Sequence, residues 1–138
     1  MNLEQLNEAF EFLEDWEDRY RFIMDLGKKL PAMPDSERVE ANLVHGCQST
    51  VWVSVDSEGG PDSNVTLHAD SDSDLVKGLA AIVVIMLWGS SAAEIATADL
   101  ESKFDQLGLH EHLSPTRSNG LHGMVRQVKS RAASLAAG

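Results

Sequence analysis

Cysteine is nearly absent: Cys47 is the only one in 138 residues. A single thiol forms no internal disulfide and offers too few sulfur ligands for a structural zinc or an iron–sulfur cluster, which leaves nucleophile, sulfur carrier or inert filler. Taken alone, a free cysteine reads as a small buried hydrophobe. Its neighbours point the other way, because Gly46 permits a tight turn and His45, Gln48, Ser49 and Thr50 line cores poorly. The segment therefore reads as a loop. Long hydrophobic runs are also missing: the longest, residues 79–88, has ten members, whereas a spanning helix needs about 20. That run reads as a buried helix, with no membrane segment. Residues 1–14 carry acids in place of the basic start of a leader peptide, so the expected location is cytoplasmic. Basic residues are scarce, 11 against 22 acids for a net charge of −11, which disfavours nucleic-acid binding. Internal repeats and low-complexity stretches are lacking, and the length suits one domain spanning residues 1–138.

The charge is unevenly spread. Residues 1–40 hold 11 acids and five bases, residues 56–74 six acids and no base, and residues 118–138 three bases and no acid. Such runs are more often solvated faces than docking patches, yet acidic surface can steer a protein partner. Leu3, Leu6, Phe10 and Leu13 recur at helical spacing, and Trp16, Tyr20, Ile23, Gly27 and Leu30 restart the pattern after a capping Asp15. An antiparallel helix pair is expected, ended by Pro31 and Pro34. Residues 35–48 read as an irregular connection containing the apolar Leu43-Val44. Val51, Val53 and Val55 alternate with polar partners, as do Val65, Leu67 and Ala69 after the turn at residues 57–62, which predicts an antiparallel hairpin. If residues 43–45 add a short strand, Cys47 sits in a loop at the end of the sheet. Capping residues 71–74 open a central helix over residues 75–88 with Gly89 as terminator; Ser91 and Glu94 fit a capping box; a helical turn near residues 103–107 stops at Gly108. Leu121, Met124, Val125, Val128, Ala132 and Leu135 mark a final amphipathic helix, with Arg126, Lys129 and Arg131 among its polar positions and their cations suited to its negative end. The fold class is α+β in two layers: about three antiparallel strands packed against helices.

Four stretches carry a family resemblance: Gly46-Cys47-Gln48-Ser49-Thr50-Val51-Trp52, Asp70-Ser71-Asp72, Val76-Lys77-Gly78-Leu79, and His112-Leu113-Ser114-Pro115-Thr116-Arg117-Ser118-Asn119-Gly120-Leu121. In order and spacing, from first helix to last, they resemble the SufE family of sulfur-acceptor proteins, the partners of cysteine desulfurases in iron–sulfur cluster assembly. The resemblance implies the fold of the U-type iron–sulfur scaffolds, without the further cysteines such scaffolds use. It also implies a function: Cys47 accepts persulfide sulfur from a pyridoxal-phosphate-dependent cysteine desulfurase, stimulates that enzyme, and delivers the sulfur to an iron–sulfur scaffold or another acceptor. No resident cofactor or metal is implied. The chain is not expected to turn over a small substrate alone, and the sequence leaves homodimerisation open.

Gly46, Gln48, Asp70, Asp72 and Arg117 are the supporting or partner-binding residues that accompany Cys47 in this reading. For Arg117 two roles stand side by side: a guanidinium that stabilises a sulfur anion or binds a partner carboxylate, and a cap or loop anchor with Ser118. A thiol near its reference pKa of about 8.5 is only a few per cent thiolate at neutral pH, and the sequence names no certain activator. His45 reads as a surface or packing histidine. His110 and His112, with no third convergent ligand visible, read as loop histidines. Trp52, Trp88, Met86 and Met124 read as core or hydrophobic shell, and an apolar lining near Cys47 would shield a persulfide. The alternative from another class is a stand-alone cysteine-dependent hydrolase or thiol peroxidase, for which no base or peroxide-binding constellation is recognisable.

Overall fold

Helix-start chemistry is written locally, and the computed structural model, which describes residues 1–45, 49–57, 59 and 62–137, follows it closely. Helix α1 (Leu3–Phe12) opens on an Asn2–Gln5 capping box. Helix α2 (Trp16–Lys28) opens on Asp15, whose carboxylate accepts from the Glu17 N–H. Arg19 joins the two: its guanidinium donates to the Phe10 carbonyl at 2.7 Å and lies over the Phe10 and Trp16 rings, closing the end of α1. The expected pairing of α1 with α2 gives way to a different one. The main partner of α2 is α3 (Asp74–Leu87), capped by Ser73. Two glycines make this possible: a Cβ on Gly27 would stand 2.7 Å from the Gly78 nitrogen, so the backbones meet where side chains would hold them apart.

The irregular connection after α2 contains two 3₁₀ turns, Asp35–Glu37 and Glu40–Asn42. Beyond it, strands β1 (Val51–Ser57) and β2 (Val65–Ser71) pair antiparallel, with Val53 opposite Ala69 and Val55 opposite Leu67 on the buried face. Part of the expected turn, residues 58, 60 and 61, lies outside the described residues. The expected third strand shrinks to a single bridge between Leu43 and Trp52. Its cause is visible on both sides. Asn42 belongs to a 3₁₀ turn, and the Gln127 side-chain amide claims both the Asn42 and Val53 carbonyls, at 3.0 and 3.2 Å, where a ladder would continue.

α3 is buried on most of its surface, as its unbroken apolar run demands, and ends one residue short of Trp88. There the expectation fails: Trp88 leaves the helix beside Gly89 at φ +79° and is 80% exposed, while Met86 and Met124 are buried and Trp52 half-buried. Ser91 and Glu94 form the expected capping box of α4 (Ala92–Thr97), which packs on the last helix. Helix α5 (Leu100–Gln106) begins earlier than expected, on an Asp99 cap, and a further turn, α6 (Leu109–His112), follows Gly108 at φ +75°. Helix α7 (Pro115–Ala137) lies with α3 against the valine face of the sheet. Its cations do not sit in the last turn as expected; Arg131 instead donates to the Ala41 carbonyl and the Asn42 side chain. Among the described residues, no helix is long and apolar enough to cross a membrane.

Candidate functional site

Gly46, Cys47 and Gln48 lie outside the described residues, and the structure defines the frame on either side of them. On the upstream side, the Val44 N–H donates to the Val51 carbonyl at 2.8 Å, one residue past the Leu43–Trp52 bridge. On the downstream side, Thr50 is held three times: its N–H donates to Asp72 Oδ1 at 3.0 Å, and its carbonyl accepts from the Asp72 N–H at 3.2 Å and the Ser71 hydroxyl at 2.8 Å. A backbone amide and carbonyl that would otherwise need water are thus satisfied by one turn at the end of β2. Both chain segments leading to the cysteine are pinned to the sheet, and His45 at the upstream edge is exposed.

Asp72, singled out from sequence, therefore acts on the chain itself. So does Asp70. Its Oδ2 accepts from Arg38 Nε and Nη2 at 2.9 and 2.8 Å, and its Oδ1 from the Ser71 N–H at 2.8 Å, with Lys77 Nζ at 3.5 Å. Burial pushes this carboxyl upward, but Arg38, the Ser71 amide and Lys77 outweigh it and hold the pKa below the usual aspartate value. Alongside, Glu37 accepts from the Ser54 hydroxyl at 2.8 Å and lies 2.7 Å from His68 Nδ1. Burial again raises its pKa, and these partners bring it below the ordinary value. Glu37 and Arg38 thereby attach the connection to the outer face of the hairpin. The contributions of Arg38, Thr50, Ser71 and Glu37 are long-range contacts without a local signal; only the Asp-Ser-Asp cluster after a strand hints at side chains bonding nearby backbone.

Arg117 is exposed in the first turn of α7. The cap there is Ser114, whose hydroxyl accepts from the Arg117 N–H at 3.4 Å and whose carbonyl accepts from the Ser118 N–H at 2.9 Å. Among the described residues the guanidinium itself has no hydrogen-bond or ion-pair partner, so the anchoring role falls to the backbone. Arg131 reaches Ala41, and Gln127, one turn earlier, reaches Asn42 and Val53. Followed backwards, α7 thus runs toward the end of the sheet that holds Val44 and Thr50, with Arg117 at its leading end about 15 Å beyond Gln127. The two neighbouring histidines part company: the His112 ring stacks on Trp16 at 4.0 Å and its carbonyl accepts from the Tyr20 hydroxyl, whereas His110 turns toward Glu101 and His122.

The family model of SufE, described as an iron–sulfur metabolism associated domain, matches residues 4–132. The chain belongs to the SufE family. Two relatives agree: an uncharacterised SufE-like protein of Rhizobium meliloti is 44% identical, with 95% of this chain and 94% of the relative covered. Another from Rhizobium etli is 42% identical, covering 95% and 89%. The solution structure of a hypothetical protein from Thermus thermophilus is similar in fold, with a TM-score of 0.79 at 26% identity over 99% of this chain and 96% of that one. SufE membership ties the chain to iron–sulfur metabolism and supports a role in sulfur transfer.

Proposed function

We propose that this SufE protein accepts persulfide sulfur from a pyridoxal-phosphate-dependent cysteine desulfurase on Cys47, stimulates that enzyme, and hands the sulfur to an iron–sulfur scaffold or another acceptor. The carrying observation is that SufE membership extends across the only thiol of the chain. In the transfer, the Cys47 thiolate attacks the terminal sulfur of the desulfurase persulfide. A new sulfur–sulfur bond forms at Cys47, the old one breaks, and the desulfurase leaves as its own thiolate, so the step needs no metal and no external oxidant. Delivery repeats the exchange with Cys47 as the leaving group. The pinned flanks support this reading physically, because a segment whose two ends are fixed loses less freedom when it docks.

Intact-mass measurement after mixing with desulfurase and free cysteine tests it. One added sulfur atom, removable by a thiol reductant, is the expected result, and Cys47→Ser abolishes acceptance while the hydroxyl variant can still dock. Unchanged stimulation of the desulfurase by Cys47→Ser would sink the carrier mechanism. Turnover of a small substrate by the isolated chain would favour a stand-alone cysteine enzyme instead.

A further inference from the structure

We propose that Glu101, His110 and His122 form a binding site for one divalent transition-metal ion of the zinc class, linking α5, α6 and α7. His110 Nε2 lies 3.0 Å from Glu101 Oε2, and His122 Nδ1 lies 3.1 Å from Glu101 Oε1. One donor atom from each residue falls within 4.8 Å of the others. A tetrahedral ion with bonds of about 2.1 Å spaces its ligand atoms about 3.4 Å apart, so each histidine stands close to that spacing from a Glu101 oxygen, and a modest contraction from within 4.8 Å brings one atom of each residue into a first sphere. The imidazole centroids lie 4.9 Å apart with the rings 15° from parallel, and one nitrogen of each faces the Glu101 carboxylate. Asp105 Oδ1 stands 3.4 Å from His110 Nε2 and brings a second carboxylate within reach.

The surroundings suit an ion with one open coordination position. The buried Phe104 backs His110 edge-on, while the Glu101 side chain is 47% exposed and leaves that side to water. Two imidazoles with carboxylate and no thiolate select zinc, cobalt, nickel or copper over magnesium or calcium. Loading requires each imidazole to carry its proton on the far ring nitrogen, freeing the near lone pair. The competing arrangement uses the same atoms: each histidine donates its near N–H to Glu101, and the trio is a hydrogen-bonded strut. This proposal is independent of the sulfur-acceptor reading, since none of its ligands belongs to the Cys47 frame.

The two arrangements separate in a titration of the chelator-stripped full chain carrying Cys47→Ser, which removes the only thiol. With cobalt(II) as probe, saturable binding of one ion per chain is expected, with the visible absorption of a four-coordinate nitrogen and oxygen site, displaced by zinc. Glu101→Gln and His122→Ala should each weaken binding by about a hundredfold or more, beyond the effect of losing an outer partner, while His112→Ala leaves it unchanged. Zinc should raise the melting temperature by about 5 °C or more at a hundredfold excess over Kd. That rise should vanish in Glu101→Gln, whose half-exposed side chain keeps its shape and so spares the fold. Absence of saturable binding up to millimolar cobalt would overturn the proposal, as would affinity unchanged by Glu101→Gln and His122→Ala or lost equally on His112→Ala.

Discussion

At Asp70 two cations and a backbone amide meet on one carboxylate, so this acid of the motif supports the chain around it. Its depressed pKa sets the sign of a pH effect: the stabilisation is fully present above the unfolded carboxyl pKa of about 4 and is lost as pH falls through the lower folded value. Asp70→Asn should therefore cost about 1 kcal/mol at neutral pH, below the roughly 1.5–3 kcal/mol of bonds to a charged group because Arg38 is partly open to solvent. The variant should also lose less further stability than the parent between about pH 5 and about pH 2. Urea unfolding across that range is the check, and parallel curves would contradict it. From sequence Asp70 is visible as an acid in a motif, but its partner Arg38 is not, because 32 residues separate them and only the fold brings the outer face of β2 against the connection.

For the helices and strands, legibility follows the range of the interaction. Asp15, Ser91 with Glu94, and the alternating valines act within a few residues, so caps, strand faces and the hairpin can be read directly. Trp88 cannot, since the apolar run that ends with it says nothing about where the chain turns away at Gly89. The expected third strand fails because a side chain, Gln127, occupies the carbonyls a ladder would need. Of the candidate site, Cys47 and its motif are legible, whereas the anchors Val44 and Thr50 emerge only when the sheet forms. Gly78 gives the sharpest test at this scale. Alanine there improves helix propensity by about 1 kcal/mol, yet its Cβ would fall onto the Ile23 carbonyl, 2.6 Å from the carbon. Gly78→Ala should therefore destabilise, by about 3 kcal/mol, in chemical denaturation; a neutral or stabilised variant would show that α2 shifts freely.

Across the whole molecule charge is segregated by segment, residues 56–74 around the hairpin holding six acids and no base and residues 118–138 three bases and no acid, and docking should follow the end of the sheet that carries the Cys47 frame. Asp72 contributes both charge and an anchor, and two substitutions divide them. Asp72→Asn keeps an acceptor for the Thr50 amide and should change only the salt-dependent association rate with the desulfurase. Asp72→Ala also frees the Thr50 amide, leaving only its carbonyl held, and should slow sulfur transfer. Arg117→Ala should impair transfer more than association. Binding kinetics and transfer rates across salt concentration decide this: parental behaviour in all three, with binding lost on Arg126→Ala or Lys129→Ala, would move the docking face to the basic side of α7. A separate consequence follows from the near-contact of α2 and α3. Where Gly27 meets Gly78 there is no layer of side chains to loosen first, so neither helix can swing away without exposing the backbone of the other. The two therefore open to solvent in a single event, and their amide hydrogens should exchange with deuterium at one shared, slow rate although about fifty residues separate them along the chain.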